Sequence, residues 1–227
     1  MQHWKELYDC VFLELTTDDY QRLIDKRLAS DEPPSRSVLT KDKSFVKQMY
    51  ELQISKGVKT INFGEFIQVR DAKTKKVKAF TDLQLKQILK QENTEHKQTV
   101  HASMVLAYTG LRINEFLNLK QKDVHFDKGY LFTQGSKTES GVARNVPIAN
   151  QITYHLKELM KSESEYVFSR KGKKVSADYY RRNYHKPFME LLNIDLTPHS
   201  FRHTAATKFR QAGMSERAIA DILGHRN

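Results

Sequence analysis

Hydrophobic positions recur at three- and four-residue intervals over most of this chain, and that period predicts helices. Near the start, Leu13, Leu15, Tyr20, Leu23 and Ile24 fall near helical spacing, with Thr17-Asp18-Asp19 as a good helix start. Pro33-Pro34 breaks the pattern. Val38, Leu39, Phe45, Val46, Met49, Tyr50 and Leu52 then mark a second amphipathic helix. Thr60–Gly64 reads as a short loop, and no alternating strand pattern occurs in this part.

The pattern changes in the second part. Thr81 can cap a helix through Leu83, Leu85 and Leu89, and another helix carrying Val100, Met104, Val105 and Tyr108 stops at Gly110. A short helix uses Ile113, Phe116 and Leu117. Strand-like pieces follow at Val124–Phe126, Tyr130–Phe132 and Val142–Ile148, separated by turns at Asp127–Gly129 and Gly135–Gly141. From Gln151 onward the chain reads as helical again, with a short strand at Tyr166–Phe168. The expected fold is therefore mostly α with a small antiparallel β-sheet, an α+β domain, preceded by a small all-α N-terminal domain.

Arg70–Lys78 separates the two parts, with five basic residues in nine and no apolar periodicity. It reads as an exposed linker, giving domains at 1–70 and 79–227 with 71–78 between them. A solvated loop within one domain is the alternative.

Charge then narrows the partners. The 227 residues carry 38 Lys+Arg against 27 Asp+Glu, a net of +11, and residues 79–227 hold +8 of it. Such an excess points to a polyanion, most plausibly nucleic acid. Cys10 is the only cysteine, which excludes a disulfide framework and fits a reducing cytoplasm. No apolar run is long enough to span a membrane, and no membrane partner is expected.

Three polar clusters sit at element boundaries. In Thr109-Gly-Leu-Arg-Ile-Asn-Glu115, Arg112 and Glu115 share a helix face, which on its own is compatible with a simple surface ion pair. In Thr197-Pro-His-Ser-Phe-Arg-His203, Thr197 is a good N-cap and Pro198 a good first residue. His199 and Arg202 then strengthen the anion attraction of a helix N-terminus, with Phe201, Ala205 and Phe209 on the buried side. His199 and His203 also have metal-ligand spacing, but the glutamate of a metalloprotease motif is missing and Arg202 would repel a cation, so no metal is expected there. In Leu223-Gly-His225, Gly224 is a natural stop for a helix capped by Ser215 and built on Ala218, Ile219, Ile222 and Leu223.

The order Thr-Gly-Leu-Arg-x-x-Glu, a turn lysine, His-x-x-Arg-His and Leu-Gly-His resembles the tyrosine recombinases, the phage-integrase family. The resemblance covers residues 79–227 with specific motifs and residues 1–70 more weakly, as part of a helical, SAM-like core-binding domain. It implies that Arg112 and Arg202 are the two catalytic arginines, that His199 and His225 are active-site histidines, and that Lys137 is the lysine of the β-hairpin. Glu115 would support the first arginine, and His203 would have a structural role. Arg70, Lys73, Lys75, Lys76, Lys78, Arg181 and Arg182 are the expected DNA-backbone contacts.

The implied chemistry suits these residue types. Transesterification at a DNA phosphodiester places extra negative charge on the non-bridging oxygens, and two guanidinium forks neutralise it without reorganising. A lysine can protonate the leaving 5′-oxygen. The family's nucleophile is a tyrosine that forms a covalent 3′-phosphotyrosyl link, so rejoining needs no cofactor. The resemblance thus implies site-specific recombination on double-stranded DNA by a tetramer, with no metal and no cofactor. The two parts with a basic stretch between them also suggest a clamp around the duplex.

One feature departs from the family. Its tyrosine should follow Leu-Gly-His, but the ten tyrosines here, at 8, 20, 50, 108, 130, 154, 166, 179, 180 and 184, all precede His199. Measured against the family, the chain looks truncated at both ends and lacks the nucleophile. A DNA-binding fragment without catalysis is therefore the alternative expectation. An RNA-binding basic protein would explain the charge but not the ordered set.

Overall fold

The computed structural model describes residues 2–7, 9–12, 14–70, 78–134 and 143–224. The chain forms two compact units, Met1–Lys76 and Val77–Asn227.

In the first unit a short 3₁₀ turn precedes helices α1 (Thr17–Leu28) and α2 (Arg36–Ser55). Asp19 closes the start of α1 by accepting from the Thr16 backbone N–H at 3.0 Å, the reach-back half of a capping box. The core gathers Tyr20, Ile24, Leu39, Val46, Tyr50 and Ile67. Tyr50 is fully buried and donates its hydroxyl to the Leu15 carbonyl at 2.9 Å. The amphipathic reading of α2 needs a correction. Val38, Phe45 and Leu52 are 41%, 56% and 53% exposed, because the helix buries the Leu39–Val46–Tyr50 face instead. Gly64, in the expected loop, lies so close to α2 that a Cβ would sit 2.6 Å from the Lys47 backbone nitrogen.

The second unit is mostly helical with a small antiparallel sheet. Its helices are α3 (Asp82–Leu89), α4 (Lys97–Thr109), α5 (Ile113–Asn118), α6 (Asn150–Leu159), α7 (Ala177–Tyr180), α8 (Lys186–Leu191), α9 (Pro198–Gln211) and α10 (Glu216–Leu223). Strands β1 (Val124–His125), β2 (Tyr130–Thr133) and β3 (Arg144–Pro147) form one antiparallel sheet in that order. The register sets Leu131 opposite Val146 and Thr133 opposite Arg144.

Capping explains the helix starts. Thr81 and Gln84 form a capping box at α3, and Ser215 Oγ accepts from the Ala218 N–H at α10. Helix α4 is buried nearly all round because it packs against α6 and α9. Phe80 stacks on Phe201 with ring centroids 4.2 Å apart, and truncating such a fully buried phenylalanine typically costs about 3–5 kcal/mol.

Two expected elements differ. Tyr166–Phe168 is not a strand: Tyr166 makes a single bridge to Lys120, and the neighbouring hairpin is β4 (Ser169–Arg170) with β5 (Lys173–Lys174). Val167 and Phe168 are apolar because they are fully buried, not because they alternate. The helix expected around Tyr179–Tyr184 is present, but Arg181–His185 forms a π-turn between α7 and α8. Leu83 is 68% exposed while Leu85 and Ile88 carry the buried face of α3.

Candidate active site

Gly110 ends α4 in the left-handed conformation at φ +65°, and two residues later Arg112 is the N-cap of α5. The reversal sends the Arg112 side chain back over its own helix start. Glu115 Oε2 accepts from the Arg112 backbone N–H at 2.9 Å, and Glu115 Oε1 accepts from Arg112 Nη1 at 2.9 Å. The i,i+3 spacing therefore gives an anchored arginine rather than a loose surface pair, since the Glu115 side chain is 4% exposed.

A residue that the sequence reading passed over completes this anchor. Arg144, on β3, places its fork on the same carboxylate, with Nη2 2.9 Å from Oε2 and Nη1 3.1 Å from Oε1. The signal that would have found it is the period of two along β3. Arg144 shares the inward face with Val146, and an inward arginine requires an anion. Burial by itself pushes Glu115 up. The Arg144 hydrogen bonds, the Arg112 backbone N–H and the Arg144 charge outweigh it and hold the carboxyl below its ordinary value.

Arg202 lies on α9 and is 3% exposed. Its Nη1 donates to the Gly110 carbonyl at 2.8 Å, and its Nη2 donates to the Leu223 carbonyl. Burial lowers it to about 10, with Arg112 lowering and Glu115 raising it in turn, so it stays charged at neutral pH.

The three arginines meet at the end of α10. Ile222 O accepts from Arg144 Nε at 2.6 Å, Leu223 O from Arg202, and Gly224 O from Arg112 Nη2 at 3.2 Å. The final carbonyls of a helix lack partners within it and carry its negative pole. Three guanidiniums on three successive carbonyls satisfy both. Gly224, at φ +66°, fits closely under the fork: a Cβ there would lie 2.9 Å from Arg144 Nη1.

His199 projects from the first turn of α9 and is exposed. Local burial, then Arg202 and Arg112, hold its imidazole below the ordinary value, so it is neutral at pH 7. Arg112, Glu115, Arg181, Arg182 and His199 line one cavity of about 1070 Å³. Arg181 is partly occupied by Asp178 at 2.7 Å. No tyrosine is among the described residues that line this cavity. His203, in edge-on contact with His199 at 4.8 Å, lines a separate cavity of about 410 Å³ with Arg210 and Glu216. Arg70 and Lys78 are exposed. Lys73, Lys75, Lys76, Lys137 and His225 lie outside the described residues. The cavity therefore gathers Arg112, Arg181 and Arg182 beside a neutral imidazole, a positive field that suits an anion, while Arg202 is buried and is not among its lining residues.

Residues 78–227 match the phage integrase family model. Tyrosine recombinase XerA of Pyrococcus furiosus is 33% identical over 128 residues, which is 54% of this chain and 44% of the relative. The Tn1549 transposon integrase, solved in complex with circular intermediate DNA, aligns with a TM-score of 0.80 at 21% identity, covering 96% of this chain and 80% of that one. A lambda integrase tetramer bound to a Holliday junction gives a TM-score of 0.76 at 17% identity, over 100% of this chain and 70% of the other. The two structures share the fold with this chain. The chain spans about half the length of the first curated relatives it matches, at 44%, 55% and 45%.

Proposed function

The chain belongs to the phage integrase family, and from that premise we propose that it acts in site-specific recombination of double-stranded DNA. The reaction is strand cleavage and rejoining through a 3′-phosphotyrosyl link. The observation that carries this reading is the placement of Arg112 and Arg202 on neighbouring carbonyls, Gly224 O and Leu223 O, at one helix end. Two guanidiniums held that close can serve one phosphate.

In this reading Arg112 and Arg202 take the non-bridging oxygens and stabilise the charge that grows in the transition state. Glu115 and Arg144 fix Arg112 in place, so its fork need not reorganise. His199, neutral at pH 7, hydrogen-bonds the phosphate or accepts the nucleophile's proton. Lys137 protonates the leaving 5′-oxygen, and His225 completes the set. Arg181 and Arg182 contact backbone phosphates beside the cavity, as do Arg70, Lys73, Lys75, Lys76 and Lys78 in the segment we propose as a linker. His203 has a structural role. We assign residues 1–70 as a core-binding module and 79–227 as the catalytic domain. The working assembly is a tetramer on DNA, the state in which the lambda integrase neighbour was solved. The group transfer conserves bond energy and calls for no metal or cofactor.

A second reading is favoured by the tyrosines. None lines the cavity among the described residues, and burial raises the most deeply placed of them, Tyr180, far above its ordinary value. A buried phenol of that kind cannot reach DNA. The 227 residues would then bind DNA without cutting it.

Duplex affinity measured against salt tests the shared core of both readings. Phosphate contacts predict that log K falls with log salt at a slope of about −0.9 per phosphate neutralised. An affinity that ignores salt would sink both. Changing Arg112 to Ala should weaken binding to all sequences alike.

A further inference from the structure

Three side chains of the second unit that strand exchange does not use meet in its interior. His101 sits mid-way along α4 and is 2% exposed, and His155 sits on α6 and is 6% exposed. Glu92 lies in the turn between α3 and α4. One ligand atom from each lies within 4.8 Å of the other two. The imidazoles face each other through Nδ1 at 2.7 Å, and Glu92 Oε1 is 3.8 Å from His101 Nδ1.

Protons alone satisfy this arrangement poorly. Two neutral imidazoles meeting Nδ1 to Nδ1 share one hydrogen, so one donates and the other accepts. Glu92 Oε1 is then left buried with no hydrogen-bond partner. A buried polar atom in that state costs about 1–3 kcal/mol, and more if charged. Each neutral imidazole carries one unprotonated nitrogen, and the two Nδ1 atoms face each other beside Glu92 Oε1.

We propose that Glu92, His101 and His155 form a divalent-metal site that takes zinc, bound by the two Nδ1 atoms and Oε1, with a fourth position for water. Tetrahedral zinc with Zn–N near 2.0–2.1 Å sets ligand atoms about 3.3 Å apart. To reach that spacing the imidazoles, now at 2.7 Å, open by about 0.6 Å, and the carboxylate closes on both rings, from 3.8 Å to His101 Nδ1 and from within 4.8 Å for the remaining pair. Two nitrogens and one carboxylate oxygen are a donor set suited to zinc. Tyr154, 51% exposed, packs edge-on to both imidazoles at 5.7 and 5.4 Å and hydrogen-bonds the Glu92 side chain.

The ion would brace three elements at once: the α3–α4 turn, α4 and α6. Helix α4 ends at Gly110, whose carbonyl holds Arg202. The brace therefore stiffens the scaffold behind the proposed phosphate site without touching it.

Cobalt(II) titration of the full chain tests this, since its visible absorption reports coordination number. Saturation at one ion per chain is expected, with the bands of a four-coordinate site and displacement by zinc. Zinc at a hundredfold excess over its Kd should raise the thermal midpoint by about 5–10 °C. Both signals should vanish in His155→Gln and in Glu92→Gln and survive in His199→Gln, which removes one of the two adjoining histidines on α9. Glu92 is only partly buried, so Glu92→Gln keeps the test open if His155→Gln does not fold. No saturable binding, or bands that survive Glu92→Gln but disappear with His199→Gln, would overturn the proposal.

Discussion

Arg144 and Glu115 lie twenty-nine residues apart and form a two-pronged ion pair with side chains only 8% and 4% exposed. The same carboxylate holds Arg112, so one buried anion organises two guanidiniums. Removing Arg144 leaves Glu115 with a single cationic partner and strips Ile222 O of its donor. Arg144→Ala should destabilise the second unit by about 3–5 kcal/mol, the usual cost of breaking a buried pair. Arg144→Lys keeps the charge but loses the fork, and should fall between Ala and wild type. Urea midpoints of the three proteins check the order.

Gly110 carries a second prediction. Its φ of +65° suits glycine, and a Cβ there would lie 2.3 Å from Leu223 Cδ2 and 3.0 Å from Ala205 Cβ. Gly110→Ala must therefore strain the backbone, turn the Leu223 side chain aside and crowd Ala205 on α9. A loss of about 2–4 kcal/mol is expected from left-handed strain and overpacking together. Because Gly110 O also accepts from Arg202, duplex binding should weaken in the same variant. Unchanged stability would mean that α9 and α10 are less tightly seated than they are here.

Acid should destabilise the second unit early. His101, His155 and His185, all buried, sit below their ordinary value, burial being the first cause in each. A histidine with a depressed folded pKa binds its proton first in the unfolded chain. Its contribution is whole above the unfolded pKa of 6.5 and is lost as pH falls through the folded one, about 4 for His101. Stability should therefore decline from about pH 6.5 downward, each histidine adding up to about 1.4 kcal/mol per pH unit. Glu115, also depressed, adds to the loss below its ordinary value of 4.5. Unfolding by urea between pH 4.5 and 8, with a chelator present, reads the slope. A flat profile would mean the buried imidazoles are reached by water.

What was legible in the sequence is what is local. Arg112 with Glu115, and His199 with Arg202, are set by spacing within one turn of one helix, so their geometry follows from helix caps. Gly110 and Gly224 announce their helix ends for the same reason. Arg144 was missed because its partner lies across the sheet, and only the period of two on β3 hinted that it points inward. Val38, Phe45 and Leu52 misled because apolar residues mark a helix without saying which stripe is covered. Glu92, His101 and His155 left no sequence signal, since the α4–α6 packing that joins them is tertiary.

The last prediction concerns the nucleophile. In the proposed reading the two arginines hold a phosphate, and displacement of the 5′-oxygen then needs a hydroxyl in line behind phosphorus. Tyr180 is fully enclosed, and Tyr179, Tyr180 and Tyr184 pack ring against ring. Tyr166 lies under Lys120 and Lys174, away from the cavity that holds Arg112 and His199. These 227 residues should therefore bind a nicked duplex that traps cleaved strands, yet give no protein–DNA band that survives denaturation. Arg112→Ala should reduce protection of the central phosphate while leaving flanking contacts in place. A covalent band mapping to any of the ten tyrosines would show that a phenol reaches the phosphate after all, and Tyr→Phe changes would identify it.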